Sequence, residues 1–153
     1  LQRCEELTHV FCKTAAGLGS KLGVLLFQLP PTFKRNDDVL GAFVDLLPEG
    51  TRAAFEFRHE SWHDPAVFEC LRRRNLALCI ADSEKMSTPV ETTADYAYFR
   101  LRDEGYQDAD IARWASTISA LNGPRQAYIY FKHEEEGKGP LFAAALGRHL
   151  GTG

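Results

Sequence analysis

Residues 52–71 read RAAFEFRHESWHDPAVFECL. Arg52 to Phe57 has the length and apolar content of a buried strand, with Phe55 and Phe57 on one face and Glu56 on the other. Asp64-Pro65 is an N-cap followed by a proline at the first helical position, and it opens a helix whose Val67, Phe68 and Leu71 face inward. The stretch is therefore one strand–loop–helix unit, and the rest of the chain repeats that grammar. Upstream, Leu22 to Leu29 (LGVLLFQL) is a strand buried on both faces and closed by Pro30-Pro31. Asn36 or Asp37 then caps a helix carrying Val39, Leu40, Phe43 and Leu47. A first helix runs from Cys4 through Leu7, Phe11, Ala15 and Leu18. Downstream, Leu76 to Ala81, Tyr96 to Leu101 and Gln126 to Phe131 are the third, fourth and fifth strands. Asp108 is expected to cap a helix with Ile111, Trp114, Ala115, Ile118 and Leu121, and a last helix runs from about Pro140 to Leu150. The connection from Asp82 to Ala94 is short for a crossover helix.

Five buried strands alternating with amphipathic helices predict an α/β fold with a parallel sheet under helical cover. Two architectures satisfy the pattern: an open doubly wound sheet, or part of a (β/α)8 barrel, which normally takes about 250 residues. With 153 residues, no internal repeat and no linker, the chain reads as a single domain, and length alone favours the open sheet.

Composition excludes the extremes. A hydrophobic share of 44% and a charged share of 25% belong to an ordinary globular protein. Eighteen Lys and Arg against 21 Asp and Glu give a formal charge of −3, which disfavours a broad polyanion-binding surface and permits a local basic pocket. No apolar run approaches the ~20 residues needed to span a bilayer, so no membrane partner and a cytoplasmic location are expected. Cys4, Cys12, Cys70 and Cys79 form no C-x-x-C pair and are expected to be reduced. Met86 is the only methionine and the chain opens on Leu1, so it is expected to be a fragment of a longer protein.

The segments KLGVLLFQLPPTF (21–33), AFEFRHESW (54–62), ALCIAD (77–82), DYAYFRLR (95–102) with Tyr106, and AYIYFKH (127–133) followed by FAAAL (142–146) resemble the successive motifs of the YecE-like family, domain of unknown function seventy-two. The resemblance spans nearly the whole chain. It implies a TIM-type barrel in which this chain supplies the C-terminal five strands and lacks the first three, and it implies no established activity. Glu56, Arg58, His59, Trp62, Asp82 and Arg100 fit the family pattern. Position 102, where the family usually has His, is Arg; positions 132 and 133, usually Asn-Asn, are Lys and His.

In a barrel, alternate strand residues point into the lumen, and the C-terminal strand ends form the active face. That phasing puts Glu56 and Arg58 inward, along with Tyr96, Tyr98, Arg100 and Arg102; Gln28 lies opposite Phe27 and Leu29, Asp82 ends its strand, and Tyr128, Tyr130 and Lys132 share the polar side. The predicted rim is Gln28, Glu56, Arg58, Asp82, Arg100, Arg102, Tyr130 and Lys132; Trp62 and Trp114 read as packing residues, with stacking on a ligand ring the alternative for Trp62. Two carboxylates against four cations favour a small anionic ligand, phosphorylated compounds included. Arg58 and Arg100 would clamp it, because guanidinium donors match carboxylate and phosphate oxygens. Glu56, Asp82 or His59 would move protons in a hydrolase or lyase. The plainer reading of the acids is a buried network that neutralises the arginines and fixes register. The alternative function is a non-catalytic barrel binding a nucleotide or nucleic acid, in which Arg102 and Lys132 would dominate.

His59-Glu60-Ser61-Trp62-His63 spells the H-E-x-x-H string of zinc peptidases, which needs both histidines on one helical face. Here the string follows a strand and precedes a helix cap, so it belongs to a loop and no zinc is expected of it. A different metal site could draw on His59, Asp82, Glu56 and His133, but the residues name no cofactor. Arg72-Arg73-Arg74 reads as a solvated helix end. Glu134-Glu135-Glu136 with Gly137 and Gly139 reads as a solvated turn, since three carboxylates repel phosphate.

Overall fold

The computed structural model describes residues 4–83, 86–103, 105–132 and 137–151. His133 and Glu134–Glu136 lie outside the described residues. The strands are β1 (Leu25–Gln28), β2 (Ala53–Glu56), β3 (Ala77–Ser83), β4 (Met86–Ser87), β5 (Tyr96–Leu101) and β6 (Gln126–Phe131). The helices are α1 (Glu5–Ala16), α2 (Asp37–Leu46), α3 (Pro65–Arg72), α4 (Asp108–Ser119) and α5 (Lys138–Leu150).

Local chemistry sets the helix starts. The Asn36 side chain accepts from the Val39 N–H (3.0 Å) and the Asp64 side chain from the Ala66 N–H (2.9 Å), with Pro65 at the first helical position. At α4 the expected cap shifts by one residue. Gln107 holds the N-cap position and Asp108 is the first helical residue, while Asp110 reaches back to the Gln107 N–H (2.8 Å).

Five strands pair in parallel in the order β1-β2-β3-β5-β6, and β4 adds a short antiparallel pairing to β3. Each parallel strand thus lies beside its predecessor, always on the same side. A doubly wound sheet requires the order to reverse once and puts helices on both faces; neither happens here. Phe27, Phe55, Phe57, Leu78, Ile80, Phe99 and Leu101 turn toward the helices and pack with Leu40, Phe43, Val67, Phe68 and Leu71 at one end and Ile111, Ala115, Ala145 and Leu146 at the other. The opposite face carries a separate cluster of strand residues, Ala54, Ala77, Cys79, Tyr96 and Tyr98, flanked by Val24, Leu26 and Tyr128. The open doubly wound alternative is therefore corrected to a singly wound arc with one-sided helical cover.

The helix-free connection from β3 to β5 is held by side chains instead. Buried Thr93 accepts from the Leu78 N–H and donates to the Leu76 carbonyl, both at 2.7 Å, standing in for a strand neighbour at the start of β3. Asn75, left-handed at φ 51°, exchanges two 2.8 Å bonds with Asp95. Arg72 donates to the Thr92 carbonyl (3.3 Å) and pairs with Glu91, and Arg74 donates to the Leu47 carbonyl (2.8 Å), so these cations tether loops as well as ending a helix.

Candidate functional site

Parallel register builds the site. Gln28 lies opposite Glu56 across β1 and β2, and Ala81, Arg100 and Tyr130 align across β3, β5 and β6. All belong to the face without helices. Glu56 is 0% exposed. Its Oε2 takes Arg100 Nη1, which also donates to Gln28 Oε1 (3.0 Å), and its Oε1 takes Arg102 Nη2 (3.0 Å). One buried carboxylate therefore orients two guanidinium groups, from Arg100 in β5 and Arg102 just past its end. Such a carboxylate is tolerable only because both oxygens are charge-paired. The two arginines are in turn held at a separation that their mutual repulsion opposes.

The pairing leaves donors over. Arg102 Nε is buried with no hydrogen-bond partner, a state costing about 1–3 kcal/mol. Arg58, half-buried on the Glu56 side of β2, makes no hydrogen bond or ion pair with a described residue. Two guanidinium groups on one carboxylate leave a local excess of positive charge in a chain of net charge −3. Lys132 is exposed at the end of β6, where its N–H bonds the Leu101 carbonyl (3.1 Å).

Below this layer sit aromatic rings. Tyr98 stacks between Tyr128 (6.5 Å, 26°) and Tyr130 (5.2 Å, 35°). Tyr98 is 6% exposed and its hydroxyl bonds no described residue, whereas Tyr130 is 48% exposed. Burial, and then the neighbouring Tyr130, push the Tyr98 phenol up to about 12, so it remains a protonated donor at neutral pH. At the far end of the same face, Arg52 lies over the rings of Tyr96 (4.4 Å) and Tyr128 (5.2 Å) and donates to the Tyr128 hydroxyl (2.9 Å), closing that end with a cation–π sandwich.

Two expected rim residues sit elsewhere. Asp82 shares register and face with Leu101, on the helix side, where it accepts from the Tyr106 hydroxyl (2.8 Å) and the Ser87 hydroxyl (2.6 Å). It is separated from Glu56 by the thickness of the sheet because strand alternation gives it the opposite parity. Trp62 is 0% exposed, stacks on Phe57 (4.8 Å, 12°) and spends its indole N–H on the Phe33 carbonyl (2.7 Å). It is a core residue on the helix side and cannot stack on a ligand.

The H-E-x-x-H string forms a single 3₁₀ turn, Glu60–Trp62, in the loop between β2 and α3. His59 caps it: its Nδ1 accepts from the Ser61 N–H (3.2 Å) and meets the Ser61 hydroxyl (2.9 Å), which in turn accepts from the Arg35 N–H. With Nδ1 accepting from the Ser61 N–H, Nε2 is the ring nitrogen that this turn leaves unused. Arg35 also pairs with Asp37 (2.6 Å) and Asp64 (2.7 Å), joining the two loops, and holds the Asp37 carboxyl below its usual range. This Arg35–Ser61–His59 chain had no sequence signal, since each link depends on two loops meeting. Among the described residues no group of three His, Cys, Asp or Glu stands close enough to hold a metal. Cys4, Cys12, Cys70 and Cys79 form no disulfide, and burial pushes the Cys79 thiol far up. Among the described residues no helix is long and apolar enough to cross a membrane.

Comparison with known proteins gives a family and a fold. The family described as protein of unknown function DUF72 matches residues 1–153. Among solved structures, a DUF72 family protein (TM1631) from Thermotoga maritima is similar at a TM-score of 0.85 and 22% identity, over 97% of this chain and 66% of that one. A DUF72 family protein (EF0366) from Enterococcus faecalis is similar in two crystal structures, at TM-scores of 0.82 and 0.80 and identities of 17% and 20%. These cover 99% and 96% of this chain and 67% and 69% of theirs. The chain thus spans about two thirds of the length of the solved structures it matches. Comparison with curated proteins found no match.

Proposed function

Because the chain belongs to DUF72, a family described without an activity, we propose that its function is to bind, and as a hydrolase or lyase to turn over, a small anionic substrate at the strand-end layer around Glu56. One observation carries this reading. Two guanidinium groups, Arg100 and Arg102, share one buried carboxylate, Arg102 Nε keeps no partner among the described residues, and half-buried Arg58, two residues after Glu56, makes no hydrogen bond or ion pair with a described residue. In this role Arg58, Arg100 and Arg102 hold the anion. Glu56 positions Arg100 and Arg102; with both oxygens engaged, it is not the proton carrier. In this reading His59, in the loop directly after β2, moves the proton through Nε2, the ring nitrogen not engaged with Ser61. Guanidinium groups fixed in place before substrate arrives favour negative charge developing on oxygen, which is the demand of hydrolysis or elimination. The cations gather about one carboxylate rather than in a stripe, which supports a small ligand over a polynucleotide.

The same reading extends to architecture. The arc forms the C-terminal part of a (β/α)8 barrel that further strand–helix units close. Its support is the unreversed strand order, the one-sided helices and the additional third of the chain in the matched structures.

Titration calorimetry with inorganic phosphate tests the binding claim. Arg58→Ala and Arg102→Ala are expected to weaken binding about tenfold or more each, as loss of a charge-assisted pair implies. Absence of phosphate binding, or indifference of it to Arg58→Ala, overturns the proposal.

A further inference from the structure

The cations lie against an aromatic surface that anion binding alone does not use. Tyr130 is the register partner of Arg100 and shares its face of the sheet. One side of its ring packs on Tyr98, while 48% of the residue stays exposed, so a ring face is open beside the guanidinium cluster. Tyr98 beneath it is nine-tenths buried and carries a hydroxyl that bonds no described residue. Its oxygen is not sealed from solvent, so it is available as a donor on that face. Tyr130 thus offers a stacking face and Tyr98 a donor on the same face of the sheet as Arg100.

Resting on the anion-binding reading, we infer that the substrate is an anion joined to a planar aromatic or heteroaromatic ring. The anionic group meets Arg58 and Arg102, the ring lies on Tyr130, and a ring heteroatom or substituent accepts from the Tyr98 hydroxyl. The pairing is chemically selective. An aliphatic tail offers no π face to Tyr130 and no acceptor to Tyr98, and a bare phosphate or short carboxylate reaches neither. Offset stacking of a ligand ring on a tyrosine adds to affinity beyond the apolar area it covers.

Calorimetry with phenyl, cyclohexyl and methyl phosphate separates the terms. Phenyl phosphate is expected to bind about tenfold tighter than methyl phosphate and clearly tighter than cyclohexyl phosphate. Tyr130→Ala and Tyr130→Leu should each bring the phenyl-to-methyl ratio near one while leaving methyl phosphate affinity unchanged, and Tyr130→Phe should retain it. Circular dichroism on each variant reports whether it is folded, and the Leu and Phe pair preserves bulk at the site. Equal binding of phenyl and methyl phosphate, or a preference that survives Tyr130→Ala, overturns the inference. If methyl and inorganic phosphate fail to bind while phenyl phosphate binds in a Tyr130-dependent way, the anion reading fails and the ring platform stands. If none of the esters binds, both fall.

Discussion

Glu56 concentrates the residue-scale physics of this protein in one carboxylate. It is removed from water, shares its two oxygens between Arg100 and Arg102, and thereby sets where two positive charges sit. Removing it strands those charges beside each other. Glu56→Ala is expected to lower the unfolding free energy by about 3–5 kcal/mol, the usual result of deleting one partner of a buried ion pair, as read by urea denaturation. A loss under about 1 kcal/mol would mean that the network is solvated and loosely held. His63 gives a second test. Burial lowers its pKa below the ordinary 6.5, with nearby Glu60 opposing, and its Nε2 is buried without a partner. Below about pH 6.5 the unfolded chain takes up a proton that the folded one resists, so this residue makes stability fall as pH drops. Comparing urea midpoints near pH 7.5 and 5.5 should show a smaller fall in His63→Gln than in the parent; an equal fall would contradict the assignment. At this scale the sequence was legible wherever strand parity was applied, as for Gln28, Glu56, Arg100 and Tyr130. Asp82 was placed by its position at a strand end instead, and its parity sends it to Tyr106. Trp62 was placed by nearness to the rim, but the 3₁₀ turn folds its indole back onto Phe57.

The elements owe their limits to a few polar side chains. Strands and helices were readable from runs such as Leu22 to Leu29 and from caps such as Asn36 and Asp64-Pro65. The connection between β3 and β5 was not, because what orders it is a pair of hydrogen bonds joining the Thr93 hydroxyl to the Leu78 N–H and the Leu76 carbonyl, 15 and 17 residues away in sequence. Thr93→Val keeps the shape and removes both bonds, leaving the Leu78 N–H and Leu76 carbonyl short of a partner. We expect it to cost about 1–3 kcal/mol in denaturant unfolding; a neutral substitution would show that the loop is held by packing alone. Asp64→Ala deletes a cap whose neighbouring proline remains, and a loss of about 1 kcal/mol is expected in the same assay.

The whole molecule is an arc. β1 and β6 each pair on one side within the described residues, and α1 turns Leu7, Val10 and Phe11 outward. Unpaired strand edges with an apolar helix stripe favour association. Sedimentation of the 153-residue chain is expected to show mass rising between about 1 and 100 µM, and a constant monomer mass would contradict this. Fold class followed from the alternation of strand and helix signals. The choice between a doubly wound sheet and a barrel arc did not, because both use the same units and differ in strand order, a long-range property that local periodicity does not encode. What the sheet achieves is to bring cations at the C-terminal end of β5 onto one buried acid of β2. The most direct measurement is a crystal of the protein soaked in tungstate, a phosphate-like oxyanion located by anomalous scattering. The account predicts a peak within hydrogen-bond distance of the Arg58 guanidinium and Arg102 Nε; tungstate ordered elsewhere, with that position unoccupied, would contradict it.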